Sequence, residues 1–232
     1  MIDYTQFQVL TFDCYGTLID WETGLIAAMR AQLGRGIARV RNEELLAAFA
    51  ALEHDAEVPF RRYREVLGTC LRGIGTQFRV PVGPSQSTAF AESVGDWPAF
   101  SDSSAALRQL QQRFRLAVIT NCDDDLFARS ERRLGVKFDP VITAEQVGSY
   151  KPDLRNFHVA HERIGGPRDR ILHVAQSLYH DHVPAKRLGL TTVWINRRAG
   201  KGPGDGATPA AKATPDAVFP DLASFAAAAT AT

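Results

Sequence analysis

The sequence predicts an α/β fold in which helices cover both faces of a parallel sheet. Six short runs rich in apolar and β-branched residues recur along the 232-residue chain, separated by turns and helical patterns. Near-continuous apolar strands that alternate with helices are typical of parallel sheets buried on both faces. The predicted strands span residues 8–12, 116–120, 140–143, 171–175, 191–195 and 217–219.

A second observation is a block without strands between residues 20 and 92. Three segments within it carry apolar residues at helical spacing, namely 23–33, 42–56 and 60–74. An all-helical block inserted after the first strand predicts a cap over the strand ends, which would exclude water from a site beneath it. We therefore expect a core of residues 1–19 and 93–232 and a helical cap of residues 20–92.

The segments that follow the later strands carry their own signals. A helix is predicted over residues 124–134, with Asp123 or Asp124 as its N-cap and Gly135 as its stop. Residues 197–214 are rich in Gly, Ala, Pro and Lys, which predicts an exposed, mobile loop. A short last strand and an Ala-rich helix are expected after this loop.

The composition excludes several classes of protein. Basic residues number 27 and acidic residues 26, so the formal net charge of +1 gives no reason to expect a nucleic-acid or membrane partner. No apolar run approaches the roughly 20 residues that a membrane-spanning helix needs. The three cysteines form no CxxC pair, and their odd number favours reduced thiols in the cytoplasm over a disulfide framework.

The end of the first strand is the most informative stretch, because Asp13 follows a buried-strand pattern and precedes a Tyr15-Gly16-Thr17 turn. A carboxylate at the C-terminal tip of a parallel strand lies where open α/β sheets bind their ligands. Gly16 permits backbone conformations that would point its N–H and that of Tyr15 at an oxyanion. The Thr17 hydroxyl is suited to fix one oxygen of Asp13. A solvated turn aspartate is the alternative interpretation.

Two other strands also end in polar side chains. Thr120 and Asn121 close the second strand and place a hydroxyl and an amide at the ligand edge, although a helix-capping pair is the alternative. Ser177 and Asp181 follow the fourth strand, where a carboxylate is able to hold an ammonium group or accept a proton from water. For Asp181 the alternative is an ordinary carboxylate at the start of a helix.

Lys151 lies between Tyr150 and Pro152 at a strand-to-helix junction. Pro152 suits the first turn of a helix, so Lys151 is predicted to stand just before that helix. A lysine is usually solvated at the surface. An ammonium group beside Asp13, however, would keep that carboxylate ionised by direct charge attraction.

Taken in order, these segments resemble the haloacid dehalogenase superfamily along nearly the whole chain. Tyr15 and the segments 150–153 (Tyr-Lys-Pro-Asp) and 194–197 (Trp-Ile-Asn-Arg) are similar to its L-2-haloacid dehalogenase branch. The resemblance implies a Rossmann-like core, a helical cap, a small-molecule substrate, a frequent homodimer, and no metal or other cofactor. It also implies that Asp13 is the nucleophile and that its neighbours are Thr17, Thr120, Asn121, Lys151, Ser177 and Asp181.

The chain departs from this branch at its substrate contacts. The haloacid enzymes grip the leaving halide with an arginine of the first cap helices, and residues 43–57 contain no arginine. Phe157 and Leu178 stand where the branch has a tyrosine and an asparagine. The nearby arginines that have no clear counterpart are Arg61, Arg62 and Arg64.

Residues 13–22 and 179–182 are closer to the L-azetidine-2-carboxylate hydrolases, which use the same displacement to open a strained amine ring. In that case Trp21 would form a wall of the substrate pocket. Packing at the hinge of the cap is the alternative role for this tryptophan.

The leading hypothesis is a hydrolase that displaces a leaving group from an sp³ carbon. Asp13 attacks a carbon next to a carboxylate and expels a halide or a ring amine, and water then hydrolyses the resulting ester. Lys151 keeps Asp13 ionised, and Asp181 helps to activate the water. One alternative is a Mg²⁺-dependent phosphatase of the same superfamily, which would carry an Asp in place of Tyr15. A non-catalytic binding protein on the same fold is the other alternative.

Overall fold

A computed structural model describes residues 2–198 and 211–231, and within these residues six parallel strands form one sheet. The strands are β1 (Val9–Phe12), β2 (Arg115–Thr120), β3 (Val141–Thr143), β4 (Ile171–Ala175), β5 (Thr191–Ile195) and β6 (Ala217–Phe219). Their spatial order is β3-β2-β1-β4-β5-β6. The predicted α/β fold with a parallel sheet is therefore confirmed.

Strand β1 lies at the centre of the sheet and is buried along its whole length. It pairs with β2 on one side and with β4 on the other, so the strand order reverses at β1. Its side chains alternate between two buried clusters, with Leu10 and Phe12 in one and Val9 in the other. In open α/β sheets, ligands bind at the carboxyl ends of the strands where the order reverses, which is where Asp13 stands.

Between β1 and β2, residues 20–92, all of which the structure describes, form a helical insertion with four α-helices. They are α1 (Trp21–Leu33), α2 (Asn42–Ala56), α3 (Tyr63–Gln77) and α4 (Pro84–Glu92). Helix α2 has the predicted bounds. Helix α4 was not predicted, although it begins with a proline at its first position, as many helices do.

Helix α3 begins three residues later than the periodicity predicts, and a distant aspartate accounts for the shift. The Asp123 carboxylate accepts hydrogen bonds from the backbone N–H groups of Tyr63 (2.8 Å) and Arg64 (3.1 Å). It thereby satisfies two of the N–H groups that a helix start leaves without partners. The prediction of Asp123 as the N-cap residue of the helix after β2 is confirmed, although its side chain accepts no capping hydrogen bond from that helix.

The remaining helices flank the sheet. They are α5 (Ser103–Leu110), α6 (Asp124–Leu134), α7 (Ala144–Val147), α8 (Leu154–Ile164), α9 (Val183–Arg187) and α10 (Leu222–Thr230). Helix α6 has the predicted bounds and ends before Gly135, whose φ of 72° lies in the left-handed region. None of the helices in residues 2–198 and 211–231 is long and apolar enough to span a membrane.

The chain enters and leaves the helical insertion along two adjacent segments. The N–H of Asp20 donates to the carbonyl of Pro98 (2.8 Å), and the N–H of Phe100 donates to the carbonyl of Leu18 (3.1 Å). The division into a core and a cap at residues 20–92 stays a prediction. Most of the predicted mobile loop, residues 199–210, lies outside the described residues.

Candidate active site

A cavity of about 320 Å³ opens at the carboxyl end of β1, between the sheet and the helical insertion. Asp13, Lys151 and Asp181 line it from the sheet side, and Trp21 and Glu57 line it from the insertion. Asp13, Lys151 and Asp181 are far apart in the sequence, and their places at the ends of strands predicted that they would be neighbours. The structure brings them together.

Lys151 is the centre of this constellation. Its Nζ donates to Asp13 Oδ1 (2.8 Å), to Asp181 Oδ1 (2.7 Å) and to the carbonyl of Ile119 (2.8 Å). An ammonium group has three N–H bonds, so each of them has an acceptor. With only 2% of the residue exposed, the lysine is held in one position between the two carboxylates.

The two carboxylates that share Lys151 have different protonation tendencies. Burial raises the pKa of Asp13, and the nearby Lys151 ammonium only partly opposes that rise. Burial also acts to raise the pKa of Asp181, but Lys151 and His173 outweigh it and hold this pKa well below its usual range. Burial acts to lower the pKa of Lys151, yet the two carboxylates raise it overall, so the lysine stays charged.

Thr17 fixes the second oxygen of the nucleophile. Its hydroxyl donates to Asp13 Oδ2 at 2.6 Å and accepts a hydrogen bond from the N–H of Gln176 at 2.9 Å. Gly16 adopts a φ of 99°, which few other residues tolerate. Its N–H donates to the carbonyl of Ile19 (2.8 Å), so the prediction that this group points at an oxyanion is wrong.

Asn121 holds the backbone of Lys151 from both sides. Its Oδ1 accepts from the Lys151 N–H (2.7 Å) and its Nδ2 donates to the Lys151 carbonyl (3.0 Å), while the residue also lines the cavity. Helix α8 begins at Leu154 with Asp153 as its N-cap, because the Asp153 carboxylate accepts from the N–H of Arg155 (2.8 Å). The sequence predicted Pro152 in the first turn of this helix, but the residue lies before the helix begins.

Thr120 is buried beside these groups, but it is not among the residues that line the cavity. Its hydroxyl has no hydrogen-bond partner within the described residues. The structure therefore does not bring this side chain to the place where a substrate would bind.

Tyr15 and Ser177 complete the predicted set at the sheet side of the cavity. The Tyr15 hydroxyl is hydrogen-bonded to Ser130 Oγ at 3.0 Å and accepts from Cys122 Sγ at 3.4 Å, so it is directed into the protein. Ser177 Oγ accepts from the N–H of His180 at 2.9 Å. Burial lowers the pKa of the His180 ring to about 4, so this ring is neutral near neutral pH.

The end of α2 contributes an acidic wall to the cavity, which the sequence pattern did not predict. Glu53 and Glu57 line the cavity together with His54. Glu53 Oε1 accepts from the Tyr63 hydroxyl at 3.0 Å, and burial raises the pKa of Glu53 to about 7. Burial and the Glu53 charge raise the pKa of Glu57 to about 8. In the sequence, the position of Glu53 next to the apolar face of α2 was the one sign that an acidic side chain would face the interior.

No arginine balances these acids, since the lining residues from the described part of the chain include one lysine and no arginine. Arg62 forms an ion pair with Glu145. Arg64 pairs with Asp123 and Asp125, which lie on the sheet side of the molecule. Both arginines connect the helical insertion to the rest of the protein and do not face the cavity.

Comparison with known proteins agrees with this geometry. A family model described as haloacid dehalogenase-like hydrolase matches residues 7–187. The (S)-2-haloacid dehalogenase H-109 of Pseudomonas putida is 28% identical over 219 residues, which cover 86% of this chain and 90% of that protein.

Two solved structures share the fold over almost the whole chain. One L-2-haloacid dehalogenase has a TM-score of 0.79 at 23% identity and covers 95% of this chain and 98% of its own. The enzyme from Xanthobacter autotrophicus, with chloropropionic acid covalently bound, has a TM-score of 0.77 at 20% identity, covering 95% of this chain and 97% of its own. Because the family model spans more than half of the sequence, the protein belongs to the haloacid dehalogenase-like hydrolase family.

Proposed function

We propose that this hydrolase displaces a leaving group from an sp³ carbon of a small 2-substituted carboxylic acid, through an ester on Asp13. The observation that carries the proposal is the buried Lys151, which bonds Asp13 and Asp181 at the same time inside the cavity. Relatives named as 2-haloacid dehalogenases, and a covalently bound acid in one structural neighbour, support the same chemistry.

In the first step, an Asp13 oxygen forms a bond to the carbon next to the substrate carboxylate, and the bond to the leaving group breaks with its electron pair. Lys151 and Thr17 each donate to one oxygen of Asp13, which orients the carboxylate for attack. The product of this step is an ester between Asp13 and the substrate carbon.

In the second step, water attacks the carbonyl carbon of that ester. Asp181 Oδ2 accepts the proton of the water, since this oxygen has no partner among the described residues and its residue lines the cavity. The Thr17 hydroxyl and the Lys151 ammonium are placed to stabilise the negative charge that develops on the ester oxygens. Release of the hydroxy acid restores the Asp13 carboxylate.

The helical insertion acts in this proposal as a cap, with residues 20–92 closing the cavity over the sheet ends. Trp21 forms part of the cavity wall, and its ring centroid lies 6.3 Å from that of Phe49 on α2. Exclusion of bulk water strengthens the electrostatic interactions between the reacting groups.

The leaving group that the cavity suits best is a positively charged ring amine. A departing halide would gain a negative charge near Glu53 and Glu57 without an arginine to receive it. A bound ammonium group would instead favour the ionised form of these two carboxyl groups and would be attracted to it. Displacement of a ring amine needs a strained ring, such as that of azetidine-2-carboxylate, and the ring nitrogen then takes the proton that ester hydrolysis releases.

A single-turnover reaction in water labelled with heavy oxygen tests the covalent route. The probes are L-azetidine-2-carboxylate and L-2-chloropropionate, with amine and halide release as the readouts. We expect the label to enter Asp13 during the first turnover and to enter the product only in later turnovers. Label that enters the product directly would exclude the ester intermediate, and the Asp13→Asn variant supplies the inactive control.

Binding to the Asp13→Asn variant tests the choice of leaving group separately. We expect the amine acid to bind and the chloro acid to bind at least tenfold more weakly. The Glu57→Gln change should weaken amine binding by about tenfold or more, because a charge-assisted hydrogen bond contributes about 1.5–3 kcal/mol. Equal binding of both acids, or no effect of this change, would contradict an amine leaving group while leaving the ester mechanism intact.

The phosphatase alternative is tested by turnover of p-nitrophenyl phosphate with and without Mg²⁺. We expect at most weak turnover, since the Tyr15 hydroxyl is bonded to Ser130 and a phenol is a poor substitute for a carboxylic acid as proton donor. Vigorous turnover that depends on Mg²⁺ would favour the phosphatase over the displacement mechanism.

A role as a non-catalytic binding protein would be favoured if Asp13→Asn left the biological role intact.

We further propose that the protein works in the cytoplasm and forms a homodimer. Reduced thiols support the cytoplasmic location, since the three cysteines in the described residues are buried and free. Light scattering after size-exclusion chromatography measures the oligomeric state directly, and a monomer at micromolar concentration would overturn the dimer.

A further inference from the structure

His173 is a fully buried histidine on β4 that is outside the predicted set of site residues. One ring nitrogen, Nε2, lies 3.1 Å from Asp181 Oδ1. The other, Nδ1, lies 2.9 Å from the Thr11 hydroxyl on the neighbouring strand β1. Phe157 of α8 packs against the ring edge-to-face, with ring centroids 5.3 Å apart. The imidazole is therefore held on three sides.

The contacts of Asp181 are distributed unevenly over its two oxygens. Lys151 Nζ and His173 Nε2 both bond Oδ1, at 2.7 and 3.1 Å. Oδ2 is buried and has no partner among the described residues. A buried carboxylate oxygen without a hydrogen bond is costly, so such a group calls for an explanation, such as a water or a catalytic role. Asp181 is one of the residues that line the cavity, so a small ligand bound there lies close to this side chain.

We propose that His173 is a positioning residue, which holds Asp181 so that Oδ2 is presented to the water that hydrolyses the ester. With its proton on Nε2, the ring donates to Oδ1, and Nδ1 accepts from the Thr11 hydroxyl. With the hydrogen bond from Lys151 to Oδ1 alone, the Asp181 carboxylate could still rotate about that hydrogen bond. The second hydrogen bond, from His173 to the same oxygen, removes this freedom.

The turn that carries Asp181 supports this assignment. Residues Leu178–His182 form one wide helical turn, in which the N–H groups of Asp181 and His182 both donate to the carbonyl of Ser177 at 3.2 Å. Wide turns of this kind are rare and are often found at functional sites. The backbone thus sets the depth of the Asp181 side chain, and His173 sets its orientation.

The role depends on the proposed function, because it concerns the hydrolysis of the ester that this function forms. The test compares His173→Phe, which keeps a ring of similar size without a donor, with His173→Gln, which keeps an N–H donor. Thr11→Val removes the hydroxyl behind the ring and leaves the donor to Asp181 in place. Each variant is assayed with whichever of L-azetidine-2-carboxylate and L-2-chloropropionate the wild-type protein turns over.

For His173→Phe we expect kcat to fall on the order of a hundredfold, the effect of misplacing a reacting group by about 1 Å. The KM for the acid should not rise, since binding and the first step do not use Asp181 Oδ2. Ester hydrolysis becomes the slow step, so the ester should accumulate on Asp13 and appear in the intact mass of the protein. His173→Gln should recover at least tenfold of the lost kcat.

A purely structural role would give a different pattern. In that case His173→Phe would lower the melting temperature without accumulation of the ester, or His173→Gln would be as slow as His173→Phe. Either result overturns the proposal. If His173→Phe fails to fold, Thr11→Val is compared with His173→Gln in its place. We expect Thr11→Val to lose less kcat than predicted for His173→Phe and to accumulate a smaller amount of the ester on Asp13.

Proton–nitrogen NMR spectra of histidine-labelled protein test the pairing without any substrate. We expect the His173 ring to carry a slowly exchanging proton on Nε2, whose signal shifts in Asp181→Asn and is unchanged in Asp125→Asn. A ring protonated only on Nδ1 would overturn the proposal even if the enzyme is active. If no acid is turned over by the wild-type protein but the Nε2 proton is present, the proposed function fails, and the hydrogen bond from His173 to Asp181 stands.

Discussion

Asp13 and Asp181, which both bond Lys151, show how two residues of one type acquire different roles from their surroundings. Both bond the Lys151 ammonium group, but Asp181 also receives a hydrogen bond from His173, and its pKa is lowered where that of Asp13 is raised. A carboxylate with a raised pKa is the more nucleophilic of the two, and once Asp13 is esterified Asp181 remains as the carboxylate that accepts the proton of the water. The contrast agrees with Asp13 as nucleophile and Asp181 as the anchored partner.

The same contrast predicts opposite effects of two substitutions on stability. The folded-state pKa of Asp13 lies above its ordinary value of 3.8, so its ionised form opposes folding near neutral pH. Asp13→Asn should therefore leave the free energy of unfolding unchanged or raise it, while abolishing activity. Asp181→Asn should lower this free energy by about 3–5 kcal/mol, as expected when a buried ion pair loses one partner. Urea titration measures both, and equal losses would contradict the prediction.

At the scale of a single element, helix α2 gives the cavity its acidic wall. Glu53 lies in the last turn of this helix and Glu57 is its C-cap residue, one turn further on, and both have raised pKa values, with burial as the main cause. A helix brings residues four apart onto the same face, so one helix presents both acids to one cavity.

These pKa values predict how stability depends on pH. The pKa of Glu57 is about 8 in the folded protein against an ordinary value of 4.5, so between these values the folded state binds more protons than the unfolded state. Its contribution to stability is therefore present at low pH and is lost as pH rises toward 8. Glu57→Gln should flatten this decline in a series of thermal melts. Glu65→Gln, on α3 and away from the cavity, is the matched control and should leave the decline unchanged.

At the scale of the whole molecule, the helical insertion is attached to the sheet by polar contacts around Asp123. This carboxylate follows β2, is 1% exposed, and caps helix α3 of the insertion. Arg64 adds ion pairs to Asp123 and Asp125. The Tyr150 hydroxyl, close to Lys151 in the sequence, donates to the carbonyl of Arg61 at 2.8 Å. The position of α2 over the cavity thus depends on residues of the core.

Asp123→Ala should loosen this attachment. It removes the cap of α3 and leaves the N–H groups of Tyr63 and Arg64 without their acceptor, at a cost of about 2 kcal/mol or more in the free energy of unfolding. Hydrogen exchange of these two amides should become faster. The control is Asp125→Ala, which removes only a more exposed partner of Arg64 and should cost at most about 1 kcal/mol. Equal effects of the two changes would contradict a special role for Asp123.

The order of the elements was predictable from the sequence because it follows from local patterns. Buried strands are short apolar runs and amphipathic helices repeat every 3.6 residues, so β1 and α6 were identified without knowledge of their neighbours. Asp13, Lys151 and Asp181 were grouped as one candidate site for a related reason. Each follows a strand, or precedes a helix, at the same edge of a parallel sheet.

The direction of individual side chains was not predictable in this way, because distant packing decides it. Thr120 lies at the predicted edge, yet it is buried away from the cavity. Asp123 is the N-cap residue of α6, yet its carboxylate accepts hydrogen bonds from the start of α3. Nothing local indicated that His173 would lie within hydrogen-bonding distance of Asp181.

The sequence by itself therefore determined the α/β fold, the family resemblance and the strand-end groups Asp13, Lys151 and Asp181. These depend on composition, periodicity and order along the chain. Only the tertiary structure decided which groups share the cavity, that Glu53 and Glu57 face it without an arginine, and that both donors to Asp181 use the same oxygen. The physical reason is that charge balance and side-chain orientation in a buried site are set by residues that meet only after folding.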